Sequence, residues 1–76
     1  MKLSELIAGL EILRKYYYDG GDGYHIYAEN GMVFAYQTDK PMSPDDVQKM
    51  YRLGWFQRDD QDIPPYDQNM TWKAHL

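Results

Sequence analysis

The side chains of this sequence that could do chemistry are few and widely separated. His25 and His75 are its two histidines, and neither has a second histidine at helical spacing, so a metal site would have to be assembled by the tertiary fold. Next to Tyr24, Ile26 and Tyr27, His25 reads as a strand histidine among aromatic neighbours. Ser4 and Ser43 are the only serines, both stand at helix starts, and no G-x-S-x-G elbow surrounds either. Cysteine is absent, which excludes a thiol nucleophile, a disulfide framework and a cysteine zinc site. No phosphate-binding Gly-x-x-x-x-Gly-Lys loop, H-E-x-x-H helix or pair of carboxylates in an apolar setting occurs. The Asp19-Gly20-Gly21-Asp22-Gly23 run offers oxygens, but a calcium loop needs a bidentate Glu at its twelfth position, where this chain has Asn30. Its glycines lead into a strand rather than a helix N-terminus, so they do not cradle phosphate either. The sequence therefore reads as that of a non-enzyme with no cofactor and no metal.

Two other sets of residues are suited to binding. Tyr27, Phe34 and Tyr36 fall on one face of a strand pair; they either pack under the second helix and the tail in a three-layer arrangement or stay partly exposed as a contact surface. Asp45, Asp46, Asp59, Asp60 and Asp62, with Asp67 beyond them, are either ordinary solvated acids or charges spaced to imitate a phosphate backbone and enter a basic channel on another protein.

The element that positions the aromatic set is Tyr24 to Gln37. Asn30-Gly31 between two β-branched and aromatic runs specifies a two-residue type I′ hairpin, because both turn residues need positive φ. The turn fixes the register: Glu29 faces Met32, Ala28 faces Val33, Tyr27 faces Phe34, Ile26 faces Ala35 and His25 faces Tyr36. Tyr24, Ile26, Ala28, Val33 and Ala35 then share one face, and His25, Tyr27, Met32, Phe34 and Tyr36 the other.

Before the hairpin, Leu3 to Tyr18 is expected to be an amphipathic helix capped by Ser4, with Leu3, Leu6, Ile7, Leu10, Leu13 and Tyr17 as the buried stripe and Glu11–Lys15 as a surface ion pair. Ala8, Ile12 and Tyr16 make a second apolar strip, to be covered by the C-terminal segment or by a partner. The glycines at 20, 21 and 23 stop the helix. After the hairpin, Ser43-Pro44-Asp45-Asp46 opens a second helix with Val47, Met50 and Tyr51 inward and Gly54 at its end. Trp55-Phe56-Gln57 can extend as a short third strand. Arg58 to Asn69, centred on Ile63-Pro64-Pro65, reads as an irregular loop, and Trp72 is expected to pin the tail to the body. The fold class is α+β, a small single domain of helix, β-hairpin and helix with an irregular C-terminal tail.

A chain of 76 residues buries only roughly 60% of its unfolded surface, leaving little room for a deep cleft. Its net charge of -4 disfavours nonspecific nucleic-acid binding, and its eight tyrosines, which can sit half-buried or wet, are compatible with an interaction surface as well as with a core. No apolar run approaches a membrane span, and Glu5 interrupts what would be a signal-peptide core, so the expected setting is cytoplasmic.

The capped helix, the NG hairpin, the SPDDV start, the LGWF run and the late tryptophan, in a short acidic chain without cysteine, resemble the small acidic proteins encoded by phages and prophages, among them anti-CRISPR inhibitors and other host-takeover factors. The resemblance implies inhibition of a host or defence protein by direct binding, often without catalysis; if the partner is a nucleic-acid-handling complex, the acidic residues are the charges expected to meet its basic channel. The alternative is a single-stranded nucleic-acid-binding module that uses Tyr27, Phe34 and Tyr36 to stack bases. A homodimer formed through the Ile12/Tyr16 strip or the hairpin edge is compatible with the first reading.

Overall fold

A computed structural model describes residues 1–18, 24–57 and 71–76. The expectations for Asp19 to Gly23, for the Arg58 to Asn69 loop and for Asp59, Asp60, Asp62 and Asp67 lie outside these residues.

Asn30 and Gly31 take φ of 54° and 75°, so both turn positions are left-handed as a type I′ turn demands. They join β1 (Ile26–Glu29) to β2 (Met32–Ala35) in the expected register, Ile26 opposite Ala35 through Glu29 opposite Met32. One pair further out, the Tyr36 N–H donates to the His25 carbonyl at 2.8 Å.

The first helix, α1, runs Leu3–Arg14. Its cap is Lys2 rather than Ser4, because the Glu5 carboxylate reaches back to the Lys2 N–H at 3.0 Å and leaves Ser4 inside the first turn. The helix stops four residues short of Tyr18. The Tyr16 carbonyl accepts from the N–H groups of Asp39 and Lys40 at 2.9 and 3.0 Å, and the Asp39 carboxylate accepts from the Tyr18 N–H at 2.9 Å, so contacts with the connector after β2 replace further helical turns. The buried stripe also differs from the expected one. Leu13 and Tyr17 are core, Leu6 and Leu10 pack beside them, but Leu3 and Ile7 are exposed. Gly9 is buried instead, directly against Trp55.

Helix α2 (Pro44–Arg52) follows the sequence closely: the Ser43 hydroxyl accepts from the Asp46 N–H at 3.2 Å, Pro44 holds N1, Val47 and Met50 are buried, and Gly54 leaves the helix at φ 95°. Trp55–Phe56 is the short third strand, β3.

The C-terminus departs from the expected irregular tail. Trp72–His75 forms β4, which pairs antiparallel with both β2 and β3, so the described sheet has the order β1-β2-β4-β3. Trp72 is fully buried, as expected of a pinning residue, but it acts from a central strand. Val33, Ala35, Trp72, Ala74 and Trp55 line one face of the sheet and form a single core with Leu13, Tyr17, Met42, Val47 and Met50. Both helices lie on that side. The described residues form a two-layer α+β fold, in which the second helix lies on the side of the sheet opposite the aromatic face and does not cover it.

Candidate interaction surface

Period-two geometry sends the alternate side chains of every strand to the side away from the helices. The registers align them: Tyr27 of β1 faces Phe34 of β2, Phe34 faces Lys73 of β4, and Lys73 faces Phe56 of β3. At strand spacings of ~4.8 Å this row is about 14 Å long. A second row brings Glu29, Met32 and His75 together. Tyr27 and Tyr36 are 41% and 48% exposed, and Phe34, Phe56, Met32 and Lys73 are half-buried, so the face is apolar, aromatic and partly wet.

The rings are ordered. Tyr27 stacks on Phe34 with centroids 4.8 Å apart and planes 12° from parallel, and its ring lies 5.3 Å from that of Tyr36. At the other end Phe56 lies 5.4 Å from His75, with the Lys73 ammonium 5.9 Å from the Phe56 centroid. The sequence reading found the Tyr27, Phe34 and Tyr36 half of this surface. Phe56, Lys73 and His75 were missed; their signal was the in-out alternation of Trp72-Lys73-Ala74-His75, only four residues long.

His25 leaves the face assigned to it. Its ring stacks on Tyr17 at 4.1 Å and 16°, on the helix side, and Tyr17 in turn donates its hydroxyl to the Tyr36 carbonyl at 2.5 Å. Burial, with the Asp39 charge as a second cause, pushes the Tyr17 phenol up to about 12.

The two described members of the acidic set, Asp45 and Asp46, are not brought to the aromatic one. Asp45 is exposed at the start of α2, in the helix layer. Asp46 is only 6% exposed and is no free surface charge. Its carboxylate takes the Lys15 ammonium at 2.8 Å and the Tyr16 hydroxyl, with Lys49 at 3.9 Å, while Tyr16 accepts from the Ser43 N–H at 3.3 Å. Burial alone would raise its pKa, but the hydrogen bonds from Lys15 and Tyr16, reinforced by the Lys15 and Lys49 charges, outweigh it and hold the carboxyl below the usual carboxylate range. The same bond to Asp46 raises Lys15. Lys15 is thus committed to α2 rather than to Glu11, and α2 rather than the tail takes Tyr16 from the second apolar strip.

Charge is divided unevenly along the chain. Seven of the 8 lysines and arginines but only 6 of the 12 acids belong to the described residues, which together carry +1; residues 19–23 and 58–70 carry the remaining -5. The described charged residues on the sheet face are Lys73 and Glu29, with His75 beside them.

Among the described residues no three histidine, aspartate or glutamate side chains gather as a metal site, and no helix is long and apolar enough to cross a membrane. The class defined by this fold is a two-layer α+β protein with one open aromatic sheet face. Compared with protein-family models, curated proteins and solved structures, the chain matches none.

Proposed function

We propose that the protein is a non-catalytic binding module whose open sheet face, Tyr27, Phe34, Tyr36, Phe56 and Lys73, receives a protein partner. The observation that carries this reading is the ring stacking. Tyr27 is engaged by both Phe34 and Tyr36, so those aromatics spend ring faces on one another rather than keeping them for bases. With those faces engaged, the cluster offers a ligand ring edges, the phenol hydroxyls of Tyr27 and Tyr36 and aliphatic surface, a composition suited to a protein-binding patch. The resemblance to phage-encoded inhibitors supplies the mode of action, occupation of a host or defence protein's surface without chemistry. The nucleic-acid-mimic version of that idea has less support, since Asp46 is bound internally.

A second reading, single-stranded nucleic acid, has one observation in its favour: Phe56 lies at the other end of the row with two cationic or titratable neighbours, Lys73 and His75.

The test is affinity capture from the native host's lysate with the parent chain and with a Phe34→Ala/Phe56→Ala variant, alongside a gel shift with single-stranded oligonucleotides at low salt. A protein captured by the parent and lost by a variant with an unchanged circular dichroism spectrum supports the proposal. Equal capture by both removes the face from consideration, and an oligonucleotide shift that the variant abolishes establishes the second reading instead.

A further inference from the structure

Of the two sheet edges, β3 is only two residues long, which limits what could pair with it. The other edge, β1, is exposed at all four positions. It carries no proline, lysine or bulge of the kinds that blunt edge strands, and its single charge is Glu29.

The outward hydrogen-bonding groups of β1 follow from its register. His25 is bonded to Tyr36, and antiparallel pairs alternate, so His25, Tyr27 and Glu29 direct their N–H and C=O groups to β2. Ile26 and Ala28 direct theirs away from the sheet, where no described strand lies. The apolar surface beside this edge is also incomplete. On the helix side Val33 and Ala35 are buried, yet Ile26 next to them is 43% exposed, and Ile7 of α1 is 47% exposed. A groove of about 240 Å³ lined by Leu10, Leu13, Arg14, Tyr17, His25 and Ile26 runs where α1 meets β1.

We infer that β1 pairs antiparallel with β1 of a second copy, about a two-fold axis passing between the two Tyr27 residues. The edge is self-complementary. In this register Ile26 stands opposite Ala28 of the second copy, and Ala28 opposite its Ile26. Each of these is a hydrogen-bonded pair, so all the outward groups of both strands are satisfied by four bonds. Sliding the strands by two residues leaves half of them unpaired. The register also sets large against small on the helix side, so each Ile26 covers the other copy's Ala28 beside the groove. In register, Glu29 stands opposite His25 of the second copy rather than opposite a second carboxylate. On the open face the two Tyr27 rings become neighbours and join the two ring clusters across a continuous eight-stranded sheet.

The chain lacks cysteine, which makes the register directly testable. Tyr27 would be a non-hydrogen-bonded pair on the axis, with Cα atoms ~4.5 Å apart, within disulfide reach. Under mild oxidation Tyr27→Cys is expected to give a covalent dimer at least tenfold faster than Glu29→Cys. In sedimentation equilibrium the parent is expected at twice its 9.0 kDa chain mass. Ala28→Pro, which removes an outward N–H but none used by β2, and Ile26→Lys are each expected at the single-chain mass with circular dichroism retained. A parent that stays at the single-chain mass up to millimolar concentration overturns the inference. So does a Tyr27→Cys variant that cross-links no faster than Glu29→Cys.

Discussion

The indole nitrogen of Trp55 lies 2.1 Å from the point where a Cβ on residue 9 would stand, so the middle of α1 can approach the sheet only as glycine. Trp55 is 1% exposed and Gly9 is buried, and no flexible side-chain end could yield to relieve the overlap.

This contact reverses the usual rule for glycine in a helix. Alanine at an exposed helix interior gains about 1 kcal/mol over glycine. Gly9→Ala should instead destabilise the protein by ~1–3 kcal/mol, because overpacking forces the indole or the helix to move. Thermal or urea unfolding of the variant decides the matter, and a raised midpoint would show that α1 and Trp55 are not in this contact.

Asp46→Asn should lower stability at neutral pH by about 1–2 kcal/mol, the scale of a lost charge-assisted hydrogen bond. The pH dependence has a definite sign. The carboxyl is held below its ordinary 3.8 in the folded protein, so its contribution is complete above that value and disappears as pH falls through the folded pKa. The parent should lose stability on acidification below about pH 4. The variant should lose less over that interval in parallel urea titrations, and identical acid profiles would count against the Lys15–Asp46 clamp.

At the alkaline end Tyr17 acts in the opposite direction. Its folded pKa, about 12, lies above the ordinary 10.0, so the unfolded chain releases the proton first and stability falls as pH rises from the lower value to the higher. Lys15, also raised, adds to the loss in the same direction. A spectrophotometric titration near 295 nm should show a tyrosine step near pH 12, and Tyr17→Phe should delete that step. A parent titration without that late step would contradict the burial of Tyr17.

Replacing Asn30 and Gly31 together by valine places β-branched side chains at φ of 54° and 75°. The penalty is ~1–2 kcal/mol at each position, and the β1-β2 register should slip or dissolve. Loss of the Tyr36 amide's protection in hydrogen exchange would report it, since that N–H bonds to His25 only in this register. An unchanged fold and melting temperature would refute the turn assignment.

Binding at the open face should be insensitive to salt if a protein partner meets the rings around Tyr27 and Phe34, because apolar contacts are not screened. If single strands are bound beside Lys73 instead, affinity should fall as salt rises. Isothermal titration at ~0.05 and ~0.5 M salt separates the two, with Lys73→Gln weakening only the second.

The sequence by itself determined whatever depends on neighbours within about four residues. Asn30-Gly31 selects its turn through local steric limits on φ, and the turn alone sets the register from Ile26 to Ala35. Ser43-Pro44 selects a helix start through a hydroxyl three residues before an amide and a ring that needs no donor. The aromatic face followed from that register by alternation. Tertiary structure decided the rest, because burial depends on which distant surface arrives. Leu3 and Ile7 are as apolar as Leu13, yet only the stripe that meets Trp55 and the sheet is buried. Tyr16 to Tyr18 have no local stop signal; the Tyr16 carbonyl leaves the helix because Asp39 and Lys40 supply its donors. Asp46 could not be distinguished from Asp45 until Lys15 and Tyr16, thirty residues away, closed on one of them. Trp72 to His75 looked like a docked tail because four residues carry too little alternation to mark a strand. Its place between β2 and β3 is fixed by the two sets of backbone groups it satisfies at once.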